Sequence, residues 1–407
     1  MSGRFFCRGP GGCPRRRAKT NRTAMDMASF DFDTFVDRRQ TASVKWDRYK
    51  DRDVLPMWVA DMDFCSPPAV IDALHRRVDH GVFGYTSPPE PLVECLVDLM
   101  EKRFGWKIEP AWIVWLPGLV TGLNVACRAV GAPGDAVMSA TPVYPPFLTA
   151  PGHFQRTLIR VPMSKTKHRW EPDFDRMEAQ MTPETRLLLW CSPHNPVGRV
   201  FSRPELERLA EICLAHDVII CSDEIHCDLV LDPEKWHIPT ASLAPEVAEQ
   251  TITLMAPSKT FNIPGLSCAF AVISQPALRR RFTKAMEGIV PHVNALGYEA
   301  ALAAFSDGWE WLAALIDYLR ANRNRVAERI DRISGLSAAL VEASYLTWID
   351  TRRTGIENPA GFFEKAGVGL SDGRDFDGDG FVRLNFGCRR RQLDLALDRM
   401  ETALAAL

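Results

Sequence analysis

The feature that most constrains the fold of this chain is an alternation of short apolar runs with amphipathic ones. Several of the apolar runs are nearly continuous in Val, Ile and Leu, as is typical of strands covered on both faces. They lie at 112–116, 136–139, 157–161, 187–191, 218–222, 252–255 and 268–273. Between them are helical patterns, such as residues 203–216, which follow a favourable N-cap at Ser202. The alternation predicts an α/β fold with a mainly parallel sheet of about seven strands flanked by helices.

The rest of the sequence predicts a second, smaller domain. Residues 309–332 have the pattern of one long amphipathic helix, and the chain beyond residue 336 mixes short strands with helices. We expect a large domain at 76–290. We expect a small α+β domain to combine residues 29–75 with residues 291–407, since chain ends often meet in one small domain.

The first 28 residues differ from the rest of the chain. Residues 1–25 contain seven basic residues and no acidic residue, and they lack the apolar region of a secretory signal. We expect a disordered basic extension. An organellar transit peptide and an over-long start, with Met25 or Met27 as the true first residue, remain the alternatives.

Composition argues against several classes of partner. The formal net charge is −2, which indicates neither a nucleic-acid nor a membrane partner, and no apolar run approaches the ~18 residues of a membrane span. Eleven cysteines are spaced singly, which indicates reduced thiols and a cytoplasmic protein. Residues 375–380 match half of a calcium loop, but Phe386 replaces its final glutamate. We therefore expect a turn there and no metal site.

Candidate functional residues follow the predicted strands. In open α/β sheets, ligands bind beyond the carboxyl ends of the strands. After 112–116 comes a glycine-containing turn, 117–122, whose helix start either binds phosphate or is an ordinary cap. The later strand ends supply further candidates: Tyr144, Asn195, Asp223, Ser258 and Lys259. No G-x-G-x-x-G motif follows a strand, which argues against a nicotinamide or flavin site.

This ordered set suits a pyridoxal phosphate enzyme. Such an enzyme needs a lysine for a covalent cofactor link, a carboxylate at the pyridine nitrogen, a helix N-terminus for the phosphate and an aromatic ring on the pyridine face. Burial lowers a lysine pKa, and the neutral amine can then act as nucleophile and base. Lys259, after a strand and among small residues and prolines, is the candidate for that lysine.

The motif order makes the resemblance specific. G-x-x-T-G at 118–122, N-P-x-G at 195–198, D-E at 223–224 and S-K at 258–259 resemble the fold-type I pyridoxal phosphate enzymes, the aspartate aminotransferase superfamily. Four longer segments resemble its MalY/PatB cystathionine β-lyase branch, namely WVADMDF at 58–64, FGYTS at 83–87, DEIH at 223–226 and SKTFN at 258–262. The resemblance runs from about residue 29 to the C-terminus.

The resemblance implies a role for each candidate residue. Lys259 would be the catalytic residue linked to the cofactor, and Asp223 would face the pyridine nitrogen. The other cofactor-binding residues would be Val120, Thr121 and Ser258 at the phosphate, Tyr144 and His226 at the ring, and Asn195 at the phenolic oxygen. Tyr85 would reach the phosphate in a neighbouring subunit, which implies a homodimer with shared active sites.

Three residues would contact the substrate: Arg383, Asn195 and Ala60. Arg383 would bind the α-carboxylate with its two-pronged guanidinium. The alternatives are a surface position on an edge strand for Arg383, and plain structural roles for His226 and Tyr85.

The resemblance also implies a reaction. A carbon–sulfur β-lyase would cleave L-cystathionine or other cysteine S-conjugates to a thiol such as homocysteine, pyruvate and ammonia. A class I/II aminotransferase is the main alternative, because the same lysine and aspartate serve both reactions. A pyridoxal phosphate-binding regulatory protein is a third hypothesis.

Overall fold

The computed structural model describes residues 30–166 and 169–407. The predicted basic extension at 1–28 lies outside this range. The predicted seven-stranded sheet is confirmed. In order across the sheet, its strands are Ile113–Leu116, Ala269–Val272, Thr251–Met255, Ile219–Asp223, Thr185–Cys191, Ala136–Thr141 and Thr157–Pro162.

Six of the seven strands point the same way. Ala269–Val272 is the exception, because it pairs antiparallel with both of its neighbours. The remaining neighbours pair in parallel. The carboxyl ends of six strands therefore lie along one edge of the sheet, where the predicted site residues follow them.

Helices cover the sheet and connect its strands. Residues 203–215 form a helix with the expected start, in which Ser202 and Glu205 make a capping box. The predicted long helix is confirmed at Trp309–Arg332. In chain order, the other α-helices are Val44–Asp47, Pro68–His80, Glu90–Phe104, Leu119–Ala129, Pro145–His153, Phe174–Ala179, Pro245–Glu249, Pro257–Thr260, Pro276–Met286, Ala295–Asp307, Pro359–Lys365 and Arg390–Ala405.

A second, antiparallel sheet follows the long helix. Its strands in order are Ser337–Ala338, Leu346–Asp350, Phe381–Asn385 and Ser371–Asp372. Two short pairs complete the strands, namely Ser164–Lys165 with Trp170–Glu171 and Leu55–Pro56 with Val368–Gly369. The last pair joins the N-terminal part of the chain to its C-terminal part.

The core places the helix Leu119–Ala129 close to the strand that precedes Lys259. Every residue of Thr251–Met255 is buried. A Cβ atom added at Gly122 would lie 2.9 Å from a methyl carbon of Leu254. Glycine therefore lets this helix approach the sheet more closely than any other residue would.

The cysteines agree only in part with the expectation of reduced thiols. Eight are free, at positions 95, 127, 191, 213, 221, 227, 268 and 388, and all but Cys95 are buried. Cys65, however, is disulfide-bonded, so the expectation is wrong at that position. Within residues 30–166 and 169–407, no helix is long and apolar enough to cross a membrane.

Candidate active site

Three predicted residues follow three neighbouring parallel strands. Asn195 comes after Thr185–Cys191, Asp223 ends the next strand, and Lys259 lies on the short helix after Thr251–Met255. Asp223 is in register with both Cys191 and Leu254, the residues opposite it on the two flanking strands. The strand ends therefore bring the three side chains to one place on the sheet edge.

Asp223 is a buried carboxyl group. It is only 5% exposed, and its Oδ1 accepts a hydrogen bond from the backbone N–H of Ile225. Burial raises the pKa of Asp223 to about 7, although the N–H of Ile225 and the charge of Lys259 act in the opposite direction. A cationic group placed against Asp223 would hold it in its charged form.

Lys259 is a partly buried amine in the site. Its Nζ donates to the carbonyl oxygen of Ala60 at 2.6 Å. Burial lowers the pKa of Lys259 to about 8; Asp61 and Asp223 oppose that shift, and Arg383 adds to it. A sizeable fraction of the amine is therefore neutral near physiological pH, as a nucleophile or base requires.

The helix Leu119–Ala129 presents a free N-terminus. Gly118 is its N-cap, and no side chain caps it. Val120 is 43% exposed, and Thr121 and Ser258 are partly exposed. Uncapped N–H groups at the start of a helix form an anion site, so this end fits a phosphate group.

Tyr144 and Asn195 are joined through the backbone. The N–H of Tyr144 donates to the carbonyl oxygen of Asn195 at 3.1 Å. Burial raises the pKa of the Tyr144 hydroxyl group. This backbone pairing brings the two residues together at the sheet edge, where the Tyr144 ring is available to stack on a flat ring ligand.

His226 lies in the same buried layer. It is 2% exposed, and its ring meets that of Tyr345 edge to face at 6.3 Å. Burial lowers the pKa of His226 to about 3, so the imidazole is neutral. Its Nδ1 has no hydrogen-bond partner among the residues that the structure describes, and an unsatisfied buried nitrogen is typical of a site that receives a ligand or water.

Arg383 lies inside the second sheet, so a surface position on an edge strand is wrong for it. It is 4% exposed, and its strand has neighbours on both sides. One Nη donates to Oδ1 of Asn195 at 2.9 Å, and the other donates to the carbonyl oxygen of Trp58 at 2.9 Å and to Oγ of Ser371 at 3.2 Å. Burial lowers its pKa to about 10. The arginine therefore links the two sheets at the site.

Sequence reasoning missed most of the wall opposite Lys259. This wall is the segment Trp58–Phe64, of which only Ala60 was a candidate. Tyr345 donates to the Ala60 carbonyl at 2.9 Å, and Asn262 accepts from the Met62 N–H at 2.9 Å. Tyr345 gave no signal because a tyrosine at the start of an apolar strand is usually a core residue. The sequence did give a signal for Asn262, because this residue ends the motif SKTFN at 258–262.

Tyr85 stays apart from the other candidates in this chain. It is fully exposed, at 108% of its reference area, and its neighbours Val82 and Phe83 are 63% and 57% exposed. The structure therefore brings Lys259, Asp223, Asn195, Arg383 and Ala60 together and leaves Tyr85 in solvent.

The fold and the site together define the class of protein. The model of class I and II aminotransferases matches residues 52–400. The chain therefore belongs to the class I and II aminotransferase family. The predicted fold-type I architecture is thereby confirmed.

Individual relatives and solved structures show which branch of the family the chain is similar to. Cystathionine β-lyase PatB of Bacillus subtilis (strain 168) is 38% identical over 387 residues, which cover 92% of this chain and 100% of PatB. The crystal structure of OvoB has 50% sequence identity and a TM-score of 0.91, over 93% of this chain and 100% of OvoB. That of cystalysin from Treponema denticola, which contains a pyridoxal 5'-phosphate cofactor, has 34% identity and a TM-score of 0.89, over 93% of this chain and 99% of cystalysin. The predicted MalY/PatB branch is confirmed.

Proposed function

We propose that this protein is a pyridoxal phosphate-dependent carbon–sulfur β-lyase. It cleaves L-cystathionine or another cysteine S-conjugate to a thiol, pyruvate and ammonia. The observation that carries this conclusion is the full-length similarity to a cystathionine β-lyase, in a chain that places Lys259 beside Asp223 at the sheet edge. The enzyme class and the cofactor follow from the same similarity and from the cofactor-containing cystalysin structure.

The residues at the sheet edge fit pyridoxal 5'-phosphate. The uncapped start of the helix Leu119–Ala129 suits the phosphate, and the free lysine amine suits a covalent link to the aldehyde carbon. Asp223 is a buried carboxyl group with a raised pKa, so it suits a cationic partner such as a protonated ring nitrogen. We assign Val120, Thr121 and Ser258 to the phosphate, and Tyr144, Asn195, Asp223 and His226 to the ring.

The bound cofactor supplies an electron sink that stabilises negative charge at the substrate α-carbon. Asp223 keeps a fixed negative charge against the ring nitrogen. Arg383 binds the α-carboxylate and orients the α-hydrogen, and the neutral Lys259 amine removes this hydrogen as a proton. The carbon–sulfur bond then breaks, and the thiolate leaves with the bonding electrons. Water converts the remaining three-carbon fragment into pyruvate and ammonia.

We further assign the complete site to a homodimer. The exposed apolar residues Val82, Phe83 and Tyr85 support this assignment, because contiguous exposed apolar residues mark interaction surfaces. In the dimer, Tyr85 of one subunit would complete the phosphate site of the other. The partner in this proposal is a second copy of the chain.

Two further assignments complete the proposal. The pairing of Leu55–Pro56 with Val368–Gly369 supports a small domain built from 29–75 and 291–407 beside a large domain at 76–290. We place the enzyme in the cytoplasm, which agrees with the eight free cysteines, whereas the disulfide bond at Cys65 argues against it.

The decisive experiment supplies L-cystathionine without any keto acid. We expect sustained release of homocysteine, pyruvate and ammonia in equal amounts. Turnover that requires a keto acid and releases no thiol would instead establish an aminotransferase, which the family match keeps as the second candidate. A fully loaded protein that turns over no amino acid would support the regulatory hypothesis.

A further inference from the structure

The segment Trp58–Phe64, which forms the wall opposite Lys259, is held by side chains along its length. Arg383 donates to the carbonyl of Trp58, and Asn385 donates to those of Val59 and Asp61. Asn262 donates to the carbonyls of Met62 and Phe64 at 3.0 and 2.8 Å. Two of the donors lie on the strand Phe381–Asn385 and the third lies on the turn after the helix Pro257–Thr260, so the segment is fixed from two sides.

Within this wall, the carbonyl oxygen of Ala60 accepts two hydrogen bonds. Lys259 Nζ lies 2.6 Å from it and Tyr345 Oη 2.9 Å. A carbonyl oxygen has two lone pairs, so these two donors saturate it. Tyr345 is completely buried, and its ring packs against the edge of His226. The hydroxyl group therefore has a fixed direction.

We propose that Tyr345 is a positioning residue for Lys259. Its hydroxyl group holds the Ala60 carbonyl where that oxygen receives the lysine amine whenever the amine is free of the cofactor. This inference rests on the proposed function, because it concerns the step in which Lys259 removes the α-proton. Lys259 becomes an ammonium in that step, and a carbonyl oxygen fixed within reach of the ammonium stabilises it without reorganisation.

Several charges surround the two groups. Lys259 is faced by Asp61, Arg383 and Asp223, and its charge also acts on His226. Tyr345 is faced by Asp61 and Arg383. Replacing Tyr345 with phenylalanine changes none of these charges. Any change in the pH dependence of Lys259 then reports the lost hydroxyl group.

The direction of that change follows from the position of one oxygen. In the native enzyme, the Tyr345 hydroxyl holds the Ala60 oxygen within hydrogen-bond reach of Lys259. Without the hydroxyl, the oxygen is held less firmly and stabilises its remaining donor less. The ammonium form donates more strongly than the amine, so the protonated state loses more and the pKa of Lys259 falls.

The test compares Tyr345→Phe with Tyr298→Phe in the holoenzyme. Tyr298 is also buried, but its ring meets that of Trp115 edge to face, and the Ala60 carbonyl accepts from Lys259 and Tyr345 instead. For Tyr345→Phe we expect the acid limb of the kcat profile to move down by about half a pH unit, as one hydrogen bond allows. We expect kcat on the plateau above this limb to fall about threefold, the rate equivalent of half a pH unit, with KM within about twofold. The pH titration of the cofactor's visible absorbance should move in the same direction, and Tyr298→Phe should match the native enzyme.

A second variant and a second assay distinguish failure of this inference from misfolding of Tyr345→Phe and from failure of the proposed function. Asn262→Ser releases the wall from its other side, and it should shift the acid limb in the same direction by a smaller amount. Exchange of the substrate α-hydrogen with deuterated solvent reports the Lys259 step whether or not thiol is released. The inference would be overturned if the profiles of Tyr345→Phe and Asn262→Ser both coincide with that of Tyr298→Phe in both assays. If Tyr345→Phe does not fold, coincidence of Asn262→Ser with Tyr298→Phe would overturn it.

Discussion

The base and the rim of the candidate active site are built differently. At the base, Asp223, Asn195 and Arg383 are each at most 5% exposed and have partners within the same chain. At the rim, Tyr85 is fully exposed and Val120 is 43% exposed. One chain therefore specifies the arrangement at the base, whereas the rim presents exposed groups that a second subunit would cover in the proposed homodimer.

The largest effect expected at the base comes from Lys259→Ala. This change removes both the covalent anchor and the base, so turnover should fall by at least about 10³-fold. Borohydride treatment followed by mass spectrometry should find no cofactor adduct. Lys102→Ala, at an exposed lysine on the helix Glu90–Phe104, is the matched control and should behave as the native enzyme. A reducible adduct that persists in Lys259→Ala would contradict the assignment.

A smaller effect is expected from Asp223→Asn, which removes the charge at the base and keeps the shape. We expect kcat to fall about 100-fold, within the range for a lost electrostatic stabiliser, while the lysine link still forms. Stopped-flow absorbance and borohydride capture separate these two results. Unchanged kcat would mean that Asp223 does not face the ring nitrogen.

The rim is tested by mixing subunits. Tyr85→Ala should weaken cofactor retention about tenfold, the effect of one lost charge-assisted hydrogen bond. In a mixed dimer of Tyr85→Ala and Lys259→Ala subunits, one site keeps Lys259 from one subunit and Tyr85 from the other. That dimer should therefore regain one native site. If both groups instead came from the same chain, mixing would restore nothing, and the rim would belong to a single subunit.

The smallest effect concerns the stability of the cofactor-free protein. The pKa of Asp223 is raised to about 7 in the folded state, so the folded protein holds this proton more tightly than the unfolded chain. Stability from this group is present at acid pH and is lost as pH rises from about 4 to about 7. Asp223→Asn should remove that loss and stabilise the cofactor-free protein by a few kcal/mol at pH 8. Denaturant titrations at pH 5 and pH 8 measure the difference, and an equal change at both pH values would argue against a buried charge.

The base of the site was predictable from sequence because it follows strand ends. Asp223 and Lys259 each come directly after a buried apolar run, and parallel strands bring their carboxyl ends together whatever the loops do. The strand Phe381–Asn385 was predicted as well, but its interior position was not, since it depends on pairing with residues 371–372 far from any local signal.

The Trp58–Phe64 wall was less predictable for a different reason. Many of its hydrogen bonds come from side chains that are distant in sequence, such as Tyr345 and Asn385 to backbone carbonyls. Hydrophobic periodicity does not record such bonds. The motif at 58–64 marked the segment through family resemblance, and only the structure gives it a physical role.

The bond between Arg383 and Asn195 has a consequence for selectivity. In the proposed function, both side chains bind the substrate, yet without it they bind each other at 2.9 Å. Binding of a substrate carboxylate through both Nη groups would therefore be an exchange, in which the carboxylate replaces the amide oxygen as an acceptor of the arginine. An analogue that lacks the α-carboxylate, such as a thioether of cysteamine, cannot make this exchange and would leave the arginine with its resident partner. The free enzyme would thus favour ligands that carry a carboxylate.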